Sequence, residues 1–273
     1  MSEILKLAIL GADGRMGQAV ISALANFESL SLTAALTHSQ SPNLGKDAFA
    51  LSGVISSDNK SVTLTDDYMR AEQCDVAIDF SAPQATLDFM AASKNNALKA
   101  IVSGTTGLSD AQTNELRNLS ENRVLLQSGN FSMGVNMLEA LIELAADKLR
   151  EGWDIDVLEM HHRHKVDAPS GTALMLGEAA AKGRNVKLSD VQKLSREGQT
   201  GVRPEGEIGF ATLRGGGVIG EHSVIIASDF EVLKLSHSAL DRSVFANGAI
   251  KAALWATKQS PGCYDMKDML GLN

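Results

Sequence analysis

Apolar residues follow two rhythms along this chain. Up to about residue 131, short unbroken apolar runs alternate with stretches of helical spacing. Leu5–Leu10 (LKLAIL), Leu30–Leu36 (LSLTAAL), Cys74–Phe80 (CDVAIDF), Lys99–Val102 (KAIV) and Arg123–Gln127 (RVLLQ) are each long enough for a buried strand. After the first run, QAVISALANF carries apolar residues at helical spacing, and Pro83 after the third suits the first turn of a helix. Such alternation predicts βαβ units and a parallel sheet with helices on both faces. Beyond residue 131 the rhythm changes. Residues 137–150 read as an amphipathic helix, Asp154–Met160 alternates like a half-exposed strand, and 171–182 read as a helix. Three strand-like runs then follow within 206–238 with no helix between them, which predicts antiparallel or mixed pairing. The tail returns to helix over 242–257 and in the short YDMKDML. The fold class is therefore α/β, a parallel-sheet domain followed by an α+β domain, with the tail packing back on the first.

Composition narrows the function. A chain of 273 residues, 44% hydrophobic, has ample length for two cores. A net charge of −8 speaks against a nucleic-acid surface, which needs clustered Lys and Arg. Two distant cysteines, Cys74 and Cys263, make neither a disulfide framework nor a zinc pattern, and they fit a reducing compartment. No apolar stretch reaches the ~18–20 residues of a membrane helix, and the start lacks a signal-peptide pattern. The expectation is a cytoplasmic protein with no nucleic-acid or membrane partner.

The first candidate site is the turn Gly11-Ala12-Asp13-Gly14-Arg15-Met16-Gly17, set between a predicted strand and a predicted helix. A helix start offers N–H groups and partial positive charge to a pyrophosphate, and glycine lets the backbone approach it. The spacing is G-x-x-G-x-x-G, with Asp13 in the middle place of the commoner fingerprint. A tight turn that only packs helix on strand is the plainer alternative. In NAD sites an acidic residue usually closes the second strand and binds the ribose 2′-hydroxyl. Here that strand ends at Thr37-His38, and the nearest carboxylate further along is Asp47. A 2′-phosphate would then meet no repulsion, and His38 or Arg15 would bind it. The reading therefore expects NADPH, or mixed use of NADPH and NADH. Gly104-Thr105-Thr106 and Gly129-Asn130-Phe131 follow the fourth and fifth strands, where open α/β sheets bind ligands.

The second candidate is EMHHRHKVDAPSGTA, residues 159–173. Three readings compete: a solvated basic loop, a metal site, and an acid/base and anion site. For metal, no cysteine lies nearby and the carboxylates lack a familiar ligand spacing. For the third, His161, His162 and His164 can move protons near neutral pH, and Lys165 adds charge and a proton. Ser170-Gly171-Thr172 then resembles a helix start able to clasp a carboxylate. The third reading suits a substrate bearing carboxylates, and no metal is expected.

These residues resemble the signature of the 4-hydroxy-tetrahydrodipicolinate (dihydrodipicolinate) reductase family. GADGRMG, Asp79-Phe80-Ser81, Ser103–Gly107 (SGTTG), Asn130–Asn136 (NFSMGVN), Ser195–Gly198 (SREG), Ile208–Arg214 (IGFATLR), Gly220-Glu221-His222 and Phe245–Ala249 (FANGA) agree with it as well. The resemblance runs nearly end to end. It implies a Rossmann-like cofactor domain from residues 1–131 with 242–273. It also implies a substrate-binding and tetramerisation domain from 132–241, hence a homotetramer. The implied reaction is NADPH- or NADH-dependent reduction of a small cyclic imine dicarboxylate with loss of water, in lysine and diaminopimelate biosynthesis. Carried over by motif, His161 and Lys165 are the proton donors, while His162, Ser170, Gly171 and Thr172 hold substrate carboxylate. Gly11, Ala12, Asp13, Gly14, Arg15 and Met16 line the cofactor, with Gly104, Thr105, Thr106, Ser128, Gly129, Asn130 and Phe131. Many members carry an acidic residue and then Arg where this chain has Thr37-His38. Another dehydrogenase, such as one acting on aspartate or a semialdehyde, would share the turn but not need the histidine-rich segment. A nucleotide sensor would need no proton donors at all.

Overall fold

The computed structural model describes residues 4–54, 61–93 and 97–272. They form two compact units, one from the N-terminal part to Ser132 together with Ser243 onward, the other from Met133 to Arg242.

In the first unit the strands are β1 (Leu5–Leu10), β2 (Leu30–Leu36), β3 (Leu64–Thr65), β4 (Val76–Asp79), β5 (Ala100–Ser103), β6 (Val124–Gln127) and, from the tail, β12 (Gly262–Tyr264). They make one seven-stranded sheet in the order β12-β6-β5-β4-β1-β2-β3. Every pairing is parallel. Its helices are α1 (Arg15–Ala23), α2 (Ala48–Leu51), α3 (Pro83–Ala92), α4 (Asp110–Leu119), α8 (Ser243–Ala256) and α9 (Met266–Leu270). The four residues of β4 and the four of β5 are all buried, as parallel strands covered on both faces must be. That is why these strands read as unbroken apolar runs and not as alternations. The chain reverses its direction of travel across the sheet between β1 and β4, so the crevice beyond their carboxyl ends is the switch point where such sheets take ligands. Strand β12 has no apolar run to announce it. It exists because its three residues pair with Val124–Leu126 at an open sheet edge.

The second unit holds α5 (Met133–Lys148), β7 (Asp154–His161), α6 (Gly171–Gly183), α7 (Leu188–Val191), β8 (Gln192–Lys193), β9 (Ile208–Arg214), β10 (Glu221–Ala227) and β11 (Val232–Ser238). The sheet order is β11-β10-β7-β9-β8. β10 runs antiparallel to β7 and β11, whereas β7, β9 and β8 are parallel, so the sheet is mixed. Along β7 the buried positions alternate: Ile155, Val157, Glu159 and His161 share one face. Ile155 and Val157 pack there with Leu176 and Ala180 of α6 and Val224 and Ile226 of β10. The same buried face thus passes from apolar to ionisable side chains toward the carboxyl end of β7.

Candidate active site

In the first unit, all parallel strands end on one edge, which collects the predicted cofactor residues. Gly11 has a φ of +69°, and a Cβ there would collide with the Phe80 carbonyl at the end of β4. A Cβ on Gly17 would strike the Gly11 carbonyl and Ala12. These two positions require glycine so that the turn folds tightly beside β4 and carries α1 directly behind it. Gly14 is the N-cap of α1 and offers no side-chain cap, so the helix start remains open to an anion. Arg15 opens the helix and is exposed, and Met16 is partly buried. This cradle fits a dinucleotide pyrophosphate.

The loops after β5 and β6 are anchored differently. Thr105 donates to Asp79 Oδ2 at 2.9 Å. Asp79 is fully buried and also receives Ser81 N, Ser81 Oγ, Thr86 Oγ1 and Ser103 Oγ at 2.5–3.0 Å. One carboxylate therefore ties the ends of β4 and β5 together. Thr106 is exposed beside it. Gly104 lies against the Phe80 ring, which meets Phe131 edge to face at 5.6 Å. Ser128 Oγ donates to Asn130 O at 2.7 Å, and Asn130 Oδ1 accepts from Ser132 N at 2.8 Å, shaping the turn that contains Gly129.

One expectation fails here. The end of β2 is not free of carboxylate. Asp13 accepts from Thr37 Oγ1 at 2.6 Å and from Ser41 Oγ. Asp47 is engaged elsewhere, capping α2 through Ala50 N at 2.7 Å and holding Ser61 Oγ at 2.7 Å. His38 is exposed. The acid reaches the β2 end from the neighbouring strand's turn, 24 residues away in sequence.

In the second unit, register builds the site. Glu159 pairs across to Thr212 on β9 and to His222 on β10, and His161 pairs with Arg214. Glu159 is 1% exposed and accepts from His161 Nδ1 at 2.6 Å, Ser170 N at 3.1 Å and Thr212 Oγ1 at 3.3 Å. Arg214 grips both its oxygens at 2.8 Å. Burial raises the Glu159 pKa, but the hydrogen bonds from Arg214, His161 and Ser170 outweigh it and the net direction is down. Glu159 is thus ionised and can only accept, so His161 Nδ1 carries the hydrogen and Nε2 becomes its working atom.

Ser170 caps α6 through Ala173 N at 3.1 Å and lies 3.0 Å from His222 Nε2. The His222 ring stands edge to face with His161 at 5.1 Å. Burial and then the His161 charge push the His222 pKa down to about 4. Below its ordinary value of 6.5 the unfolded chain takes a proton that the folded chain refuses. Stability is therefore expected to fall by about 3 kcal/mol as pH drops from 6.5 to about 4. Burial lowers His237 too, adding in the same direction. Denaturant unfolding at stepped pH, for wild type and His222→Asn, checks this: the variant should lose most of the slope in that window.

Lys165 Nζ pairs with Asp167 at 2.8 Å, and its N–H closes a turn onto His162 O at 3.1 Å. His162 and His164 rings lie 6.1 Å apart. The His162 pKa is lowered, first by burial and then by Arg242, His164, His161 and Lys165. Positive charge therefore crowds this loop. Gly171 begins α6 and is exposed, with Thr172 partly buried behind it. Among the described residues, no three His, Cys, Asp or Glu side chains converge as metal ligands.

Gly220 shows how tightly His161 is held. A Cβ there would stand 3.1 Å from His161 Nε2 and 3.7 Å from the His222 ring. Gly220→Ala is expected to displace the imidazole and lower kcat by about tenfold or more with little loss of melting temperature. Unchanged kcat would show that Nε2 does not need that position. Asp79, Glu159, Gly220 and His222 lie in motifs quoted above, yet spacing alone gave them no role. The signal available was a polar residue at the buried phase of a strand.

Comparison with known proteins gives the same answer across the whole chain. The family model described as dihydrodipicolinate reductase, N-terminus, matches residues 5–131, and that described as dihydrodipicolinate reductase, C-terminus, matches 134–270. The chain is 50% identical to the 4-hydroxy-tetrahydrodipicolinate reductase of Sinorhizobium medicae (strain WSM419), over 100% of both chains. It is 48% identical to that of Brucella abortus (strain 2308), over 98% of this chain and 99% of the relative. Among solved structures, dipicolinate-bound dihydrodipicolinate reductase from Paenisporosarcina sp. TG-14 superposes with a TM-score of 0.74 at 24% identity, covering 98% and 99% of the two chains.

Proposed function

The chain belongs to the dihydrodipicolinate reductase family, NAD(P)-dependent oxidoreductases that reduce 4-hydroxy-tetrahydrodipicolinate in lysine and diaminopimelate biosynthesis, and from that premise we propose that His161 and Lys165 supply the protons of this reaction. Bound NADPH or NADH supplies the hydride. Hydride addition to a conjugated imine leaves an electron pair on the substrate ring, so an acid must stand ready. The pair that carries this reading is Glu159 with His161: a buried carboxylate on Nδ1 orients the ring, offsets the charge of its protonated form and aims the Nε2–H outward. Lys165, four residues on, brings a second proton and a positive charge that offsets the developing anion. His162 and the α6 start at Ser170, Gly171 and Thr172 bind the substrate carboxylates. Arg242, His164 and Lys165 raise the local potential for them.

The first unit binds the dinucleotide. Gly11, Ala12, Gly14, Arg15 and Met16 hold the pyrophosphate, Thr105 and Thr106 with Ser128, Gly129, Asn130 and Phe131 meet the nicotinamide end, and the β2 end meets the adenosine ribose. The second unit also builds a homotetramer. Supporting this, Met137, Leu141 and Leu144 line one face of α5 with 39–56% exposure, and Phe230 and Leu240 are above 90% exposed. No helix among the described residues is long and apolar enough to cross a membrane.

The test is steady-state oxidation of NADPH and NADH with freshly made 4-hydroxy-tetrahydrodipicolinate, set beside aspartate semialdehyde. Turnover of the first substrate alone is expected. A folded chain that binds cofactor but turns over neither substrate overturns the proposal.

A further inference from the structure

We propose that Asp13, the acidic residue inside the glycine turn, selects the cofactor: its carboxylate takes the ribose 2′-hydroxyl of NADH and disfavours the 2′-phosphate of NADPH. This rests on the reading of Gly11–Met16 as the dinucleotide cradle. In sheets of this order the residue after β2 faces the adenosine ribose, and an acidic side chain there discriminates the two cofactors. This chain has Thr37 at that place. The structure brings an acid to it from the adjacent strand.

Three observations support the assignment. First, the carboxylate is held and not loosely exposed. Oδ1 accepts from Thr37 Oγ1 at 2.6 Å and Oδ2 from Ser41 Oγ, and both donors are only 7% exposed. The backbone is joined at the same point, since Ala12 N donates to Leu36 O at 3.0 Å. Asp13 therefore stands at a fixed place beside the end of β2.

Second, the hydroxyls there are already committed. Thr37 and Ser41 would be natural donors to a phosphate, but each points its hydrogen at Asp13. What the group presents to a ligand is a carboxylate, which accepts hydrogen bonds and donates none. A ribose hydroxyl can donate into that; a phosphate cannot.

Third, the group is charged at neutral pH. Burial raises the Asp13 pKa, but hydrogen bonds from Ser41 and Thr37, helped by its own N–H and Asn43, outweigh it, and the net direction is down. Arg15, exposed at the start of α1, attracts the pyrophosphate common to both cofactors, whereas Asp13 acts on the one group that differs.

The experiment is equilibrium titration of the full chain with NADH and with NADPH, without substrate, for wild type, Asp13→Asn and Asp13→Gly. Asp13→Asn keeps the shape and removes the charge; Asp13→Gly supplies the residue usual at that place in the fingerprint. Wild type is expected to bind NADH the more tightly. Both variants should weaken NADH, tighten NADPH, and move the ratio of the two Kd values by about tenfold or more toward NADPH; the lost clasp on Thr37 and Ser41 lowers the melting temperature, most in Asp13→Gly, and leaves the ratio as the readout. An unchanged ratio, with both cofactors weakened alike, overturns the proposal and leaves Asp13 as a clasp between turn and β2. Should Asp13→Asn unfold, the ratio in Asp13→Gly decides. If wild type binds neither cofactor, the cradle reading fails and takes this one with it.

Discussion

Glu159→Ala is expected to destabilise the second unit by about 3–5 kcal/mol, a large part of the ~5–15 kcal/mol that holds a typical protein together. The deletion leaves Arg214, Ser170 N and Thr212 without their acceptor at the carboxyl end of β7, and Arg214 keeps a charge that is only 21% exposed. Breaking a partly buried ion pair from one side is costly because Arg214 keeps its charge, loses its carboxylate and is left with the Leu213 and Asp167 carbonyls. Glu159→Gln separates stability from chemistry. Its amide fills the same space, but its NH2 group meets donors where Glu159 accepted from Arg214 and His161. His161 thereby loses the carboxylate that offsets the charge of its protonated form and holds its Nε2–H in place. We expect kcat to fall about 10²–10⁴-fold in Glu159→Gln while cofactor Kd stays within twofold. Thermal and denaturant unfolding read the first effect, and saturating steady-state rates the second. Wild-type kcat in Glu159→Gln would show that the carboxylate serves folding alone.

The charge of Glu159 also fixes the acid response. Its pKa lies below the ordinary 4.5, so its contribution is fully present above that value and is lost as pH falls through the lower, folded pKa. His222 fails earlier, on the way from 6.5 to about 4. Acid should therefore weaken this unit in two stages, with a histidine first and a carboxylate second.

Much of this was legible in the chain because local physics sufficed. β1 and β2 end where their apolar runs end, since a buried parallel strand shows its whole length as hydrophobic residues. The start of α6 was legible because Ser170 is a helix-capping type followed by helical spacing. What stayed hidden depends on register between distant strands. Nothing in Glu159 alone says that it will meet Thr212, Arg214 and His222, which lie 53 to 63 residues on and arrive through the pairings of β7 with β9 and β10. Asp13 is the sharper case. Reading along the chain, the end of β2 lacks an acid; across the sheet, β1 lies beside β2 and delivers one. Asp79 likewise reads as the polar end of a strand until β5 brings Ser103 and Thr105 to it.

The largest effect on turnover is expected at the two proposed proton donors. His161→Gln and Lys165→Ala should each lower kcat about 10²–10⁴-fold. Neither should unfold the protein. Lys165 pairs with Asp167, which is 56% exposed, so that pair is worth about 0–1 kcal/mol. His161→Gln keeps a donor toward Glu159, which spares Arg214 the loss that Glu159→Ala inflicts. The two variants differ in what else they disturb. Lys165 adds charge beside His162, so its loss should also raise the substrate KM, whereas His161→Gln should act on kcat with KM nearly constant. In the double variant, a loss close to that of either single change would mean that both residues serve one proton-transfer step; a loss equal to the product would mean two separate steps. Lys165→Ala that raises KM and leaves kcat intact would reduce Lys165 to a carboxylate clamp, with His161 as the sole acid. Full kcat in His161→Gln would remove the histidine from the chemistry and leave the Glu159–His161 pair as a structural contact at the end of β7.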